Sequence, residues 1–513
     1  MSKQVQTIWI AAIVSLGGFL FGFDAAIISG VIGSVETLFD LNLAQKGWVV
    51  SSPSASAMVA MVIAGSISNR LGRKPLLIFV AFLYAVSALF SAYATSYEML
   101  YIARMVGGLA FGSALVLAPL YIAEVSNPEN RGKLVSIQQL NIVLGFSAAY
   151  FVSYYLNRMS TSGTGMINEE NSWRWMLGIE LIPALLYMIL MFFVPNSPRW
   201  LMMKGKSERA TKVLERLHGP AYAKNEFEEI QKNLSREQTK SKVGLADLLH
   251  PSLRYVLVIG LVVGVLQQIT GINAIFFYAT SIFEQTGIGT DAAFAQSVIV
   301  GLINVAFTIL VMVLIDRMGR RPLLLIGIAG IAISMSITAY GFKQATYQLT
   351  TESIATLDGI DQQQLVSIAN VEYSNDIAFN KAMEQALGET AYKANRGAIL
   401  KAATNMNAYL ILFGILGFVA SFAFSLGPVM WVLLSEMFPT RIRAVAIGVI
   451  GFINSFTSWL IQQIFPWEIS TLGNATTYLL FALFAAIGFV LLYRILPETK
   501  GKSLEELEKE LIR

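Results

Sequence analysis

Gln267-Gln268-Ile269-Thr270-Gly271-Ile272-Asn273 lies inside an apolar run that extends from about Tyr255 to Phe283. The run is long enough to cross a bilayer, where each unpaired polar group costs several kcal/mol. Amides carry both donors and acceptors, which suits a ligand rich in hydroxyl groups, such as a sugar. Gly271 weakens the helix, and transporters place substrates at broken helices near the midplane. The alternative is that the amides join neighbouring helices. We favour a binding site, because polar groups inside membranes are usually functional.

The rest of the chain is also apolar. Of its 513 residues, 55% are hydrophobic and 14% are charged, and the mean hydropathy is +0.59. Soluble domains carry about 25% charged residues. Windows of about 20 apolar residues, the length that a membrane helix needs, recur twelve times. The first follows a short polar start and contains Asp24, so we interpret it as a span rather than a signal peptide. The composition predicts an all-α membrane protein.

Positive charges are concentrated in alternate loops. They cluster around Arg73, Arg131, Arg320 and Arg443, and in the segment from Arg199 to Arg254. Loops rich in Lys and Arg face the cytoplasm. With twelve spans, this distribution predicts that both termini are cytoplasmic. The absence of cysteine excludes disulfides and thiol metal sites.

The chain contains an internal repeat. Asn69-Arg70-Leu71-Gly72-Arg73-Lys74-Pro75 returns 247 residues later as Asp316-Arg317-Met318-Gly319-Arg320-Arg321-Pro322. Such a repeat predicts two six-helix bundles, the second copying the first. The second copy contains a polar insertion, which we expect to form a partly helical external loop. The predicted domains are an N-terminal bundle (1–196), a cytoplasmic helical linker (197–253), a C-terminal bundle (254–496) with the inserted loop (343–405), and a cytoplasmic tail helix (497–513).

Three ionisable residues lie within predicted spans: Asp24, Arg104 and Glu180. Each costs about 2.5–3.5 kcal/mol at the bilayer centre, so such residues pair or face a wet cavity. We hypothesise that ionised Asp24 pairs with Arg104, and that protonation releases the N-terminal bundle to close over substrate. Glu180 would compete for Arg104. The alternatives are a static ion pair and sodium coupling, although Arg104 would repel sodium.

A second set of charges lies at the predicted cytoplasmic helix ends. Glu124 precedes Arg131 by seven residues, and Glu436 precedes Arg443 by the same spacing. We interpret these as salt bridges that hold the bundles together in the outward-facing state. The alternative is ordinary positive-inside charge, which we assign to Lys74 and Arg320. The complete predicted gate comprises Arg70, Arg73, Glu124, Arg131, Asp316, Arg317, Arg321, Glu436 and Arg443.

Six motifs distributed along nearly the whole chain carry a family resemblance. They are the two Arg-rich repeats above, Tyr121-Ile122-Ala123-Glu124 with Asn130-Arg131-Gly132, Pro195-Asn196-Ser197-Pro198-Arg199-Trp200-Leu201, the opening amide stretch, and Pro497-Glu498-Thr499-Lys500-Gly501. In this order they resemble the sugar porter family of the major facilitator superfamily. The resemblance implies two bundles that rock around a central sugar site.

The resemblance also implies site residues. Proton symporters of the family have a carboxylate at the position of Asp24, whereas animal facilitative glucose carriers have asparagine. Phe146 and Ser455 depart from the residues of known relatives, so the resemblance leaves the sugar open. The implied sugar contacts are Gln139, Gln267, Gln268, Asn273, Asn304, Trp431 and Asn454, with Phe23, Tyr278 and Phe422 as a possible aromatic gate.

Together these features predict a proton-coupled monosaccharide importer, for a pentose or a hexose. The resemblance implies a bacterial inner membrane. The expected partners are the sugar, the proton and the bilayer, with no nucleic acid, and the expected state is a monomer. A passive uniporter and a transport-inactive sugar sensor are the alternatives. An enzyme is disfavoured, because the two histidines, His218 and His250, lie in the predicted linker, away from any nucleophile. No cofactor or metal is expected.

Overall fold

In a computed structural model the chain is largely helical. The structure describes residues 3–127, 130–162, 165–239, 245–357, 360–439, 442–502, 506–507 and 511. Within these ranges, twelve helical segments are long and apolar enough to cross a membrane, which confirms the predicted number of spans. The tail helix predicted at 497–513 falls largely outside the described residues.

Eight helices build the first six spans. Three of these helices have 13 residues or fewer, and the other five have 20 residues or more. A charged segment of four helices and one 3-10 turn (Pro251–Leu253) follows. The helices are α1 (Lys3–Val14), α2 (Leu16–Leu38), α3 (Leu43–Leu71), α4 (Arg73–Ala92), α5 (Tyr97–Val125), α6 (Arg131–Thr161), α7 (Ser172–Gly178), α8 (Leu181–Phe193), α9 (Pro198–Met203), α10 (Ser207–His218), α11 (Pro220–Thr239) and α12 (Leu245–Leu248).

The second six spans contain an inserted segment between the ninth and tenth. The elements are α13 (Arg254–Ile269), α14 (Ile272–Phe277), α15 (Ala279–Glu284), α16 (Thr290–Met318), α17 (Arg320–Lys343), β1 (Thr346–Gln348), α18 (Thr351–Ala355), α19 (Gln362–Leu365), a 3-10 turn (Val366–Ile368), β2 (Glu372–Tyr373), α20 (Asp376–Leu387), α21 (Glu389–Ala403), β3 (Thr404–Asn405), α22 (Ala408–Phe424), α23 (Leu426–Met437), α24 (Arg443–Leu472) and α25 (Asn474–Ile495).

Two spans of the second half break where the sequence requires it. Gly271 separates α13 from α14 with φ 93°, a conformation that favours glycine. A Cβ on Gly271 would lie 2.6 Å from the ring of Phe481. Pro428 cannot donate a backbone hydrogen bond one turn back, and the tenth span breaks at Ser425, between α22 and α23. Both breaks direct backbone and amide groups toward the interior.

Packing divides the chain into two compact units. The first unit comprises Met1–Asp24, Ser52–Phe146 and Leu177–Gly244. The second comprises Ala25–Ser51, Ser147–Met176 and Leu245–Arg513. Parts of α2, α3 and α6 therefore pack with the second half of the chain. The domain boundaries that we derived from the repeat stay a prediction.

The inserted segment, residues 344–405, has a hydrophobic core of its own; we call it the insert. It combines short helices with a three-stranded antiparallel sheet of order β2-β1-β3. Tyr347 of β1 pairs with Tyr373 and Thr404, and stacks on Phe379 at 5.2 Å. We call the end of the second unit that carries the insert the insert end. The ends of the helices that carry the Arg-rich loops are the basic ends.

Part of the linker packs on the first unit. The Trp200 indole of α9 donates to the Asn69 carbonyl at 3.3 Å, and its ring lies against Gly72. His218 of α10 contacts the Val125 carbonyl at 2.9 Å. These contacts place α9 and α10 beside the basic ends of α3 and α5.

Candidate functional site

The break in the seventh span lies at the centre of an amide network in the second unit. Gln267, at the end of α13, donates from Nε2 to the carbonyls of Leu426 and Gly427, at 2.9 and 3.3 Å. These carbonyls belong to the start of α23, directly after the break at Ser425. The two interrupted spans are therefore joined by a side chain at the point where each loses its regular helix.

Asn454 of α24 connects the neighbouring glutamines. Its Nδ2 donates to Gln267 Oε1 and to the Gly264 carbonyl, both at 2.8 Å. Its Oδ1 accepts from Gln268 Nε2 at 3.2 Å. Asn454, Gln267 and Gln268 are each less than 9% exposed. Because each amide orients the next, the network presents a fixed arrangement of donors and acceptors.

Asn273 extends this network across the break. Its Nδ2 donates to Gln268 Oε1 at 2.8 Å and to Ser458 Oγ at 2.6 Å. Ser458 also accepts from Gln462 Nε2 at 2.8 Å. Sequence analysis missed Ser458 and Gln462, although their spacing of four and eight residues from Asn454 places all three on one face of α24.

The other predicted sugar contacts lie outside this hydrogen-bonded set. Asn304 of α16 is 4% exposed. Trp431 of α23 is 42% exposed, and its ring lies against Gly451, one turn before Asn454. Gln139 of α6 is partly buried and belongs to the first unit. The structure thus brings together four of the seven predicted contacts.

Two of the three predicted gate aromatics lie in the second unit. Tyr278, between α14 and α15, is buried, donates to the Gln462 carbonyl at 3.1 Å and packs on Phe465 at 5.1 Å. Phe422 precedes the break at Ser425 and is partly buried. In the first unit, Phe23 is buried next to Asp24.

The three buried ionisable residues lie together in the first unit. Arg104 Nη1 is 3.3 Å from Asp24 Oδ1, and the two side chains are 2% and 6% exposed. Glu180 is 3% exposed and lies within electrostatic range of both. It sits at the interruption between α7 and α8. One cation thus faces two carboxylates away from water, an arrangement whose charge balance changes when one carboxylate takes up a proton.

A close helix crossing lies beside Asp24. A Cβ on Gly22 of α2 would be 2.0 Å from the Ile142 carbonyl oxygen, and one on Gly145 of α6 would be 2.1 Å from that of Phe19. Only glycine allows this reciprocal approach of two backbones. The crossing fixes the position of the Asp24 carboxylate relative to α6, the helix that carries Gln139.

Among the described residues, each half of the chain has an ion pair at its basic end, buried in the first half and partly exposed in the second. Arg73 donates to Glu124 Oε1 at 2.8 Å, with both side chains no more than 5% exposed. Arg320 donates to Glu436 Oε1 at 2.8 Å. The structure thus pairs Glu124 with Arg73 and not with the expected Arg131. Arg131 is exposed at the start of α6. Likewise Arg320, which we assigned to topology, is the partner of Glu436. Helix spacing alone does not determine such pairs, since the arginine lies on the preceding span rather than seven residues after the glutamate.

The remaining predicted gate residues make different contacts. Arg70 and Arg317 are exposed. Arg321 donates to the Tyr493 carbonyl at 2.8 Å, and Arg443 to that of Phe438 at 3.0 Å. Asp316 lies in α16, but its side chain is outside what the structure describes.

At the insert end, helices of the first half are closed onto helices of the second. Ser29 of α2 shares a 3.0 Å hydrogen bond with Thr280. Tyr150 of α6 donates to the Phe276 carbonyl at 2.6 Å. These buried contacts seal the second unit at this end.

Known proteins with similar sequences share this architecture. A family model described as "Sugar (and other) transporter" matches residues 10–360 and 386–511. The arabinose-proton symporter of Bacillus subtilis (strain 168) is 36% identical over 98% of this chain and 94% of its own. The D-xylose-proton symporter of Escherichia coli (strain K12) is 32% identical over 97% of this chain and 94% of its own.

Solved structures of transporters have a similar fold. The inward open conformation of the xylose transporter XylE from E. coli covers 98% of this chain and 100% of its own, at 29% identity, with a TM-score of 0.75. The partially occluded inward open conformation of the same transporter gives a TM-score of 0.73. The family is one of transporters rather than enzymes. The chain therefore belongs to the sugar porter family of the major facilitator superfamily, and it is a multi-pass membrane protein that transports sugar.

Proposed function

We propose that this protein imports a monosaccharide together with a proton by alternating access, with Asp24 as the proton-carrying group. The observation that carries the proposal is the buried contact of Asp24 with Arg104, with Glu180 within electrostatic range of both. A buried carboxylate facing a fixed cation can exist charged or neutral, whereas arginine stays charged. Removal of the Asp24 charge weakens its hold on Arg104, which then interacts with Glu180.

Coupling follows if sugar and proton favour the same closed state. The Gly22–Gly145 crossing links Asp24 rigidly to α6, which carries Gln139. Protonation at Asp24 would free this pair of helices to close over bound sugar. Each ligand then shifts the same equilibrium, and neither alone shifts it fully. A passive uniporter would need no carboxylate at this position.

We assign the sugar site to Gln267, Gln268, Asn273 and Asn454, with Asn304, Trp431 and Gln139 as further contacts. The pre-oriented amides support this assignment, because they match the alternating donors and acceptors of a polyol. Trp431 offers a partly exposed flat ring for stacking against a sugar. The named relatives transport arabinose and xylose, which supports a pentose as the substrate. A relative named glucose transport protein, from Synechocystis, is 32% identical, so a hexose is the second candidate.

We further propose a monomer in the bacterial inner membrane with both termini in the cytoplasm. The Lys- and Arg-rich basic ends support this orientation. The insert end then faces outward, and its closed contacts correspond to an inward-facing state. The similarity to an inward open transporter supports the same state.

The test is sugar uptake into proteoliposomes with and without an inward proton gradient. Arabinose, xylose, glucose and fructose would be offered to the wild type and to Asp24→Asn. We expect gradient-dependent accumulation by the wild type. Asp24→Asn should lose accumulation but still exchange labelled for unlabelled sugar. If wild-type uptake ignores the gradient, the protein is a uniporter. If no sugar moves in either mode, the sensor alternative gains support and the assigned sugar site is wrong.

A further inference from the structure

A group of charged residues is withdrawn from solvent at the insert end of the second unit. Glu36, in the last turn of α2, pairs with Lys46 of α3 at 2.5 Å, and the two side chains are 12% and 10% exposed. Both residues lie near helix ends, where water would normally solvate them. We call Glu36, Lys46, Glu284, Lys393 and Arg396 the insert-end charge cluster, since the insert provides its cover.

Helix α21 of the insert contributes the two remaining cations of the cluster. Lys393 donates from Nζ to the Leu41 carbonyl at 3.0 Å and lies 3.7 Å from Asp40. Both residues belong to the turn between α2 and α3. Arg396 lies within electrostatic range of Glu36 and Glu284. The insert thus reaches the first half of the chain through cationic side chains.

Helix α21 and the adjoining β3 are packed closely against the second half. A Cβ on Gly287 would lie 2.7 Å from Thr404 Cβ, and one on Gly397 would lie 3.0 Å from Thr290 Oγ1. Asp376, at the start of α20, accepts from the backbone and side chain of Asn474, at 2.9 and 2.5 Å. The insert is therefore fixed to the second half by steric fit and helix capping, whereas its contacts with the α2–α3 turn are polar and charged.

This difference matters for alternating access. Opening at the insert end must separate Ser29 from Thr280 and Tyr150 from Phe276. The same movement carries the α2–α3 turn away from α21. Close packing against the second half can persist through such a movement, while the contacts of Lys393 with Asp40 and the Leu41 carbonyl must break. The Asp40 side chain is 70% exposed, and ion pairs at such exposed positions are weak enough to form and break reversibly.

We propose that the insert is a latch, in which Lys393 on α21 holds the α2–α3 turn and Arg396 attracts Glu36 at the end of α2, so that both stabilise the state that is closed at the insert end. The inference rests on alternating access, and it does not depend on which sugar is carried or on proton coupling. Loss of the latch should shift the conformational equilibrium toward opening at the insert end.

The absence of cysteine makes this shift measurable by single-cysteine labelling. Ser153 of α6 is 1% exposed, lies against Gly30 of α2, and its hydroxyl has no hydrogen-bond partner in the described part of the chain. Ser153→Cys therefore introduces a thiol without removing a hydrogen bond. Reconstituted protein would be treated with a membrane-impermeant methanethiosulfonate from the insert side, without sugar or gradient.

The test compares Lys393→Gln/Arg396→Gln with Lys401→Gln, each in the Ser153→Cys background. Lys401 is on the same helix, but its stem lies against Gly289 of the second half. We expect the labelling rate to rise about three- to tenfold in the double variant, in line with weak contacts, and to stay unchanged in Lys401→Gln. Lys393→Gln alone should give a smaller rise and serves if the double variant folds poorly, as judged by size-exclusion chromatography.

Equal labelling rates in the folded Lys393→Gln variants and the background would overturn the latch. A similar rise in Lys401→Gln would also overturn it, since general loosening of the insert would then be the cause. Because labelling needs no transported sugar, failure of the latch and failure of the proposed symport are distinguishable. A failure of the proposed symport would appear in the uptake assay, whereas a failure of the latch would appear in the labelling rates.

Discussion

At the scale of single residues, the amide network satisfies its own hydrogen bonds before any sugar arrives. Asn454 donates to Gln267 and accepts from Gln268, so each amide is oriented by another. A sugar must exchange some of these bonds for its own, which makes the net gain small for each contact. Orientation, rather than the number of donors, is what the network contributes to recognition.

The first prediction concerns Asn454. Asn454→Ala removes the hydrogen bonds that Asn454 makes to Gln267 Oε1 and Gln268 Nε2 in a buried site, and each such bond contributes about 0.5–1.5 kcal/mol. We expect sugar affinity to fall at least about tenfold, equivalent to about 1.4 kcal/mol. Equilibrium binding by calorimetry measures this change. Thr457→Ala is the matched control, because within the described part of the chain that hydroxyl bonds the Ile453 carbonyl of its own helix rather than the amide network. Equal affinities of the two variants would contradict the assigned site.

The second prediction concerns the crossing of α2 and α6. Gly22→Ala or Gly145→Ala places a methyl group about 2 Å from a backbone oxygen, and overpacking costs about 1–3 kcal/mol. We expect the melting temperature in detergent to fall by several degrees in each variant. Gly33→Ala, on α2 with no atom within 4 Å of the added Cβ, should be neutral or slightly stabilising. Unchanged melting of Gly22→Ala would mean that the helices can separate without cost.

At the scale of helices, the ion pairs at the basic ends join elements that sequence spacing does not connect. Arg73 begins α4, and its partner Glu124 ends α5. The repeat places Arg320 and Glu436 in the same relation on α17 and α23. In the second half Thr499 also donates to Glu436, at 2.6 Å. The pair of the second half is therefore reinforced by the segment after the last span.

The third prediction distinguishes the observed partner of Glu124 from the one that its spacing suggests. Glu124→Gln strands the buried Arg73 cation, and removal of one partner of a buried pair costs about 3–5 kcal/mol. Arg131→Gln alters an exposed side chain, and such changes stay within about 0.5 kcal/mol. Thermal unfolding of the two variants in detergent measures the difference. A larger loss in Arg131→Gln would show that Arg131 is the important partner.

The fourth prediction concerns Glu284, which follows the seventh span. Burial raises the pKa of Glu284 above its ordinary value of 4.5, despite the Thr290 hydrogen bond and the charges of Arg396 and Lys46, while Glu36 raises it further. The folded state thus holds the Glu284 proton more tightly than the unfolded state does. Protonated Glu284 therefore contributes stability to the folded state at acidic pH, and this contribution is lost as the pH rises through the raised pKa.

Melting temperatures measured from pH 4.5 upward test this sign. We expect Glu284→Gln, which mimics the protonated form, to lose stability less steeply than the wild type as the pH rises. Glu352→Gln removes an exposed carboxylate from the insert and should follow the wild-type profile. A wild-type protein that gains stability relative to Glu284→Gln with rising pH would contradict the predicted sign.

At the scale of the whole molecule, hydropathy and glycine chemistry made the fold predictable. Twelve apolar windows predict twelve spans, and Gly271 predicts the break in the seventh. The Ser425 break, the Arg73–Glu124 pair and the sheet of the insert were not predicted. Each depends on which helices become neighbours, and a single sequence does not specify this. The charges of α21 were missed for the same reason, because Lys393 and Asp40 come together only in the folded chain.

The last prediction uses the closure at the insert end. Gly47 of α3 lies so close to α24 that a Cβ would be 2.2 Å from the Gln463 carbonyl oxygen. Gln463 also accepts from Ser51 at 2.7 Å and donates to the Ala44 carbonyl at 3.0 Å. Gly47→Trp cannot fit in this closed arrangement, so we expect it to hold the insert end open. Transport should then cease, while sugar still binds from that side.

Uptake and equilibrium binding of the same preparation separate these effects. Gly33→Trp is the matched control, since Gly33 also lies toward the insert end, on α2, and a side chain there meets open space. This variant should transport normally. Alternating access requires both ends to close in turn. A Gly47→Trp variant that transports at the wild-type rate would therefore show that the closed contacts of Ser29, Tyr150 and Gln463 are not part of the cycle. Lost binding together with lost transport would instead indicate that the wedge disturbs the sugar site itself.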